Sequence, residues 1–134
     1  MLDLIIKNGS CYIDKDLKDQ DIAIKDGKII KIGKIDEDAK EVFEAKNLTI
    51  LPGCIDTQTH FREPGSTDTE DLHSGSRAAV VGGITSVFEM PNTNPPTSNK
   101  LEFQKKLDLA KNRMYSNYAF YFGATADNAN ELAD

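Results

Sequence analysis

The sequence has no tryptophan, and aromatic residues make up only 7% of its 134 positions. Positive charge is not in surplus either: 16 basic residues stand against 22 acidic ones, for a net charge of −6. With no basic stripe and no aromatic-plus-basic face, nucleic acid is excluded as an expected partner. No apolar run approaches the ~20 residues of a membrane helix. The N-terminal stretch Met1-Leu-Asp-Leu-Ile-Ile-Lys7 carries an acid at position 3 and is too short for a signal h-region. The two cysteines, Cys11 and Cys54, lie far apart and in no CxxC, so they read as reduced packing thiols in a cytoplasmic protein. What is present, 39% apolar and 28% charged residues, suits a soluble globular protein with a modest core.

Residues 1–51 read as a small antiparallel β unit. A strand over 2–8 ends at Gly9. Asp21 to Gly33 forms a hairpin, with Ile22/Ile24 and Ile30/Ile32 alternating about an Asp26-Gly27 turn that needs φ > 0. Positions 36–46 are charged and read as loop or a short ragged element, and 48–51 as another strand. Pro52-Gly53 marks a change of pattern, so residues 52–134 form a second domain. There the order is strand (54–60), helix (70–81, opened by a Thr67–Glu70 capping box and closed at Gly82-Gly83), strand (84–90), helix (about 99–114, capped by Ser98 or Asn99) and strand (117–123). The loop and opening of a third helix follow over 124–134. Helices between short buried strands imply parallel strands with right-handed crossovers. The fold class is therefore α/β: the small β unit followed by the first three strands of a (β/α)8 barrel, which closes only with about eight strands. The chain is expected to stop in mid-architecture.

The densest chemistry lies in Leu51-Pro-Gly-Cys-Ile-Asp-Thr-Gln-Thr-His-Phe-Arg-Glu-Pro-Gly65. An apolar start at Cys54-Ile55 reads as a buried strand. Side chains two apart share a face, which aligns Asp56, Gln58, His60 and Arg62. Such a row is costly to bury unless each group has a partner or a ligand. Pro91-Asn-Thr-Asn-Pro-Pro96 is a rigid polar loop after the next strand, suited to holding groups toward a ligand. His73 reads as a solvated side chain on the first helix, and Tyr118, Phe120 and Phe122 as packing.

Pro52-Gly-Cys-Ile-Asp56, His60-Phe-Arg-Glu-Pro-Gly65, Glu70-Asp71 with Ser74-Gly75, Ala78-Ala79 with Gly82-Gly83-Ile-Thr85, and Met90-Pro-Asn-Thr93 with Pro95-Pro96 occur in this order. Together they resemble dihydroorotases of the cyclic-amidohydrolase group, in the metal-dependent amidohydrolase superfamily. The resemblance covers essentially the whole chain but only the N-terminal third or so of such an enzyme. It implies reversible cyclisation of N-carbamoyl-aspartate to dihydroorotate in pyrimidine synthesis, with one or two zinc ions. It assigns His60 to the metal, and Arg62 and Asn92 to the substrate carboxylate, which guanidinium grips bidentately. The other ligands and the catalytic residues are expected beyond Asp134, so the chain alone should be inert. A homo-oligomer or an aspartate transcarbamoylase partner is compatible with it.

One position departs from the pattern: the family's His-x-His has Gln58 first. An amide is a poorer zinc ligand than imidazole, which leaves two alternatives open beside the dihydroorotase reading. One is a non-catalytic amidohydrolase-like scaffold subunit. The other is an allantoinase- or dihydropyrimidinase-type cyclic amidase. Each side chain has a plainer role as well: a structural histidine at 60, an ion pair of Arg62 with Glu63, Asp56 or Glu89, and turn chemistry at Asn92. Asp56 either orients a metal-bound histidine or caps the loop backbone.

Overall fold

The structure is a computed structural model that describes residues 1–131. It divides into two compact units, Met1–Pro52 and Gly53–Asp134.

The first unit is a five-stranded sheet in the order β3-β2-β1-β4, with β5 also paired to β1. Its strands are β1 (Leu2–Ile13), β2 (Asp16–Lys25), β3 (Lys28–Gly33), β4 (Ala39–Glu44) and β5 (Thr49–Ile50). The Asp26-Gly27 hairpin forms as expected, both residues at positive φ (50° and 70°), the requirement of a two-residue turn that follows strand twist. Three expectations need correction. The first strand does not end at Gly9 but runs to Ile13, through an irregularity between Ile6 and Gly9. Asn8 sits there at φ 61°, and the bulge is satisfied by side chains: its N–H donates to Asp21 and its amide to Glu44. A second tight turn, Asp14-Lys15 with φ of 55° and 67°, then returns the chain into β2. The charged stretch 36–46 contains β4, which pairs with β1 in parallel, as does β5; the sheet is therefore mixed rather than antiparallel. Leu2, Ile5, Ala23 and Ile35 form its core.

The second unit is a parallel sheet in the order β6-β7-β8. It is built from β6 (Cys54–Thr59), α1 (Leu72–Val81), β7 (Ile84–Glu89), α2 (Lys100–Ala110) and β8 (Asn117–Phe120), the expected alternation of a barrel's opening strands. The core is Phe61, Leu72, Val87, Ala110 and Phe120. Helix α1 starts later than the Thr67–Glu70 box. Those residues lie in turns, and Asp71 is the cap: its carboxylate accepts from the Ser74 N–H (2.6 Å) while Ser74 Oγ accepts from the Asp71 N–H (3.1 Å). For α2 the cap is Asn99, which accepts from the Glu102 N–H. This helix ends at Ala110 rather than 114, just ahead of Asn112 at φ 60°. β8 is shorter than expected, and the segment after it closes in a 3-10 turn, Ala129–Glu131; the remainder of the third-helix expectation lies outside the described residues. Ile55 and Cys54 are exposed rather than buried, because β6 is an edge strand of this sheet.

Candidate functional site

Strands β6 and β7 end side by side, with Thr59 opposite Glu89 and the Met90 N–H donating to the Thr59 carbonyl at 2.9 Å. The segments leaving these two C-terminal ends carry the residues singled out from the sequence. His60 Nδ1 lies 3.0 Å from Asn92 Oδ1. An amide oxygen can only accept, so this contact is made with the proton on Nδ1, and in the neutral ring that tautomer leaves the lone pair on Nε2. Neither Nε2 nor the Asn92 amide nitrogen has a partner among the described residues. His60, Arg62, Glu89, Met90, Asn92 and Thr93 line a small cleft, so the structure brings His60, Arg62 and Asn92 together.

The strand does not extend to Arg62, which sits at φ 64°. The alternation of burial nevertheless continues past Thr59: Phe61 and Glu63 turn inward, while Arg62 is exposed. The plainer expectation for Arg62, an ion pair with a neighbouring acid, is not what forms. Glu63 is taken by Arg113 through two hydrogen bonds (2.8 and 3.0 Å). Glu89 is taken by Lys106 at 2.8 Å. Among the described residues Arg62 has no ion pair. Asp56 accepts from the Gln58 N–H; it caps the backbone rather than supporting His60. Gln58 is exposed and is not among the cleft residues. His73 is exposed as expected, with Nε2 3.2 Å from the Tyr115 hydroxyl.

Sequence reasoning missed the roles of four residues in and behind the cleft lining, Glu63, Arg113, Glu89 and Lys106. Glu63 accepts from the Leu72 N–H at the start of α1 as well as from Arg113. Glu89 Oε1 accepts from the Phe61 N–H at 3.1 Å. Its Oε2 faces the Lys106 ammonium but receives no well-directed hydrogen bond, so that contact is held by charge. Lys106 also donates to the Met90 carbonyl (3.3 Å) and lies 5.1 Å over the Phe120 ring. Burial pushes the Glu89 carboxyl above its ordinary value, against the pull of Lys106 and the Phe61 N–H. The signal was available: Lys106 interrupts the apolar stripe of Phe103, Leu107 and Ala110 on α2, where an unpaired ammonium would be costly.

Among the described residues, His60 Nε2 is a metal donor at the cleft with no partner, whereas the Glu89 carboxylate that also lines the cleft faces Lys106. Among the described residues no group of three or more His, Cys, Asp or Glu could hold an ion. The protonated-Nδ1 form of His60 fits ligation, but these residues do not make a metal site by themselves.

The sequence profile of the Amidohydrolase family matches residues 49–130. An allantoinase of Escherichia coli O1:K1 / APEC is 41% identical over 131 residues, covering 97% of this chain and 29% of that protein. The allantoinase of Escherichia coli O139:H28 (strain E24377A / ETEC) matches over the same extent at 41%. An L-hydantoinase (dihydropyrimidinase) from Arthrobacter aurescens superposes with a TM-score of 0.90 at 31% identity, over 98% of this chain and 30% of its own. A D-hydantoinase from Thermus sp. gives 0.79 at 25% identity, over 97% and 30%. The chain thus spans about three-tenths of the length of the relatives it matches. With its sheet and helices forming the opening part of a barrel of that kind, the chain belongs to the amidohydrolase family.

Proposed function

We propose that this chain serves hydrolysis of a ring amide in a cyclic ureide, the reaction class named by its allantoinase and hydantoinase relatives. The observation carrying this reading is the His60–Asn92 contact at the mouth of the β6–β7 pair, in a sequence aligned with allantoinases over 97% of its length. His60 would give one imidazole to zinc through Nε2. When bound, the metal supplies Lewis-acid polarisation of the ring carbonyl. Asn92 Nδ2 and the Arg62 guanidinium face the cleft as donors for the ring oxygens, and they hold the ring in register for attack.

Dihydroorotase is the second reading. It is favoured by the unpaired Arg62, since a guanidinium with no acid of its own suits a ring carboxylate. Relatives favour the neutral ureides. The test is a ring-opening assay with zinc on allantoin, hydantoin, dihydrouracil and dihydroorotate, following the ureido product. Turnover of the neutral rings with little on dihydroorotate is the expected result; a preference for dihydroorotate selects the second reading. No turnover by the gene's complete product, with or without Gln58→His, would leave the scaffold role and overturn both.

A further inference from the structure

We infer that Glu89 and Lys106 are positioning residues that fix the tautomer of His60; the inference deepens the ureide-hydrolase reading and rests on it for its purpose, though not for its test. The buried pair reaches both segments that meet in the His60–Asn92 contact. Glu89 Oε1 accepts from the Phe61 N–H, the peptide immediately after His60. Lys106 Nζ donates to the Met90 carbonyl, two residues before Asn92. The two side chains are 0% and 1% exposed and 2.8 Å apart, so neither can swing away into water. Removing either hydrogen bond frees one side of the contact. The His60–Asn92 bond itself lies at the exposed mouth of the cleft, where water competes with a hydrogen bond held only by its own two side chains.

The pair is also an expensive way to hold a strand end. Two apolar side chains of similar volume would pack there at little or no cost, and often with a gain. What apolar side chains cannot do is accept from Phe61 and donate to Met90. With both bonds in place, His60 Nδ1 is kept against the Asn92 oxygen, and the Nε2 lone pair is left facing the cleft. A histidine released from that contact shares its proton between the two nitrogens, and the ligating form becomes a fraction of the population.

The test uses this chain labelled with 15N and two double variants. Glu89→Leu/Lys106→Met removes both bonds while keeping an apolar, filled interior. Glu89→Gln/Lys106→Met removes the bond to Met90 but keeps an amide oxygen for the Phe61 N–H. Long-range 15N–1H spectra, recorded well above the ordinary histidine pKa of ~6.5, give the Nδ1–H to Nε2–H ratio of His60, with His73 as the internal control. Wild type should show His60 almost wholly as Nδ1–H. The ratio should fall roughly fivefold in the Leu/Met variant, the factor carried by one net hydrogen bond, with the Gln/Met variant in between and His73 unchanged. A wild-type ratio in whichever variants fold overturns the inference. Unfolding of both also overturns it, since the pair would then hold the unit as a whole rather than the site. The readout involves no substrate or metal. A graded ratio together with no ring-opening by the gene's complete product sinks the proposed function alone, while ring-opening by that product without the gradation sinks this inference alone.

Discussion

Gly75 of α1 is a direct probe of how the site segment is seated. Leu72, Gly75 and Ser76 form the buried side of the helix, and Gly75 faces the Phe61 ring. A β-carbon there would meet Phe61 Cδ1, with Cγ at 2.7 Å and Cε1 at 2.8 Å. Gly75→Ala brings two opposed effects. Alanine is favoured over glycine in a helix interior by about 1 kcal/mol. Overpacking a filled core typically costs about 1–3 kcal/mol, and the upper half of that range applies because the obstacle is a ring rather than a flexible chain end. Phe61 cannot easily yield, since it is 7% exposed and its N–H is held by Glu89. The net expectation is a loss of about 1–2 kcal/mol, read as a fall in urea midpoint of roughly 0.5–1 M at the usual m-values. Phe61→Leu in the same background should relieve the clash, so the double variant loses at least ~1 kcal/mol less than the sum of the singles. A Gly75→Ala chain as stable as wild type, together with additive singles, would refute the packing of Phe61 against α1.

Arg113→Met strands the carboxylate of Glu63 beneath the loop. Because Arg113 is 35% exposed and Glu63 only 8%, the cost should be about 2–3 kcal/mol, below that of breaking a wholly buried pair, and adding Glu63→Gln should recover part of it in denaturation curves. Gly65→Ala forces a side chain onto a φ of 113° and brings its β-carbon 2.6 Å from the Asn94 carbonyl oxygen; a loss of about 2–3 kcal/mol is expected, with the His60–Asn92 contact disturbed in NMR spectra. Two of the perturbed carboxylates, Glu89 and Asp71, give opposite pH slopes. Burial raises Glu89 in the folded state above its ordinary 4.5, so the folded chain binds more protons than the unfolded one just above that value. Stability falls as pH rises from there to the raised value, and Glu89→Gln should flatten that part of a plot of urea midpoint against pH. Asp71 is held below its ordinary 3.8 by the Ser74 N–H and hydroxyl. Its contribution is present above 3.8 and lost as pH falls through the lowered value, so the difference between wild type and Asp71→Ala should vanish in acid.

Local patterns carried the sequence reading as far as local physics reaches. The Asp26-Gly27 hairpin was legible because turn chemistry and alternation sit in adjacent residues. The β-α-β-α-β order was legible because each apolar run ends in glycine, proline or a capping residue. β4 was not legible: Ala39–Glu44 looks like a charged loop until its parallel partner, β1, is supplied from far along the chain. The bulge at Asn8 was hidden for the same reason, since its donors are met by Asp21 and Glu44. His60 and Arg62 stood out in a row of polar side chains at a strand end, while their roles, and the choice of Asn92, came from the resemblance to dihydroorotases. Glu63 and Glu89 look like ordinary surface acids in the sequence. Only the fold shows that Arg113 and Lys106 arrive to neutralise them.

That neutralisation decides the character of the cleft. Two carboxylates, Glu63 next to Arg62 in the chain and Glu89 in the lining of the same cleft, would be natural partners for its guanidinium. Both are instead turned inward and matched to cations delivered by α2 and the turn after it. The acids thus support the site from behind without cancelling the charge in front of it. Had Glu63 faced the cleft, Arg62 would have been half of a surface ion pair worth little to stability and nothing to recognition. With Glu63 turned inward, Arg62 has donors to spare beside an amide nitrogen and an imidazole lone pair. The ring amide of the proposed function, rich in acceptors, would fit that set whether or not it bears a carboxylate, so on that proposal the choice among rings turns on how strongly Arg62 is used.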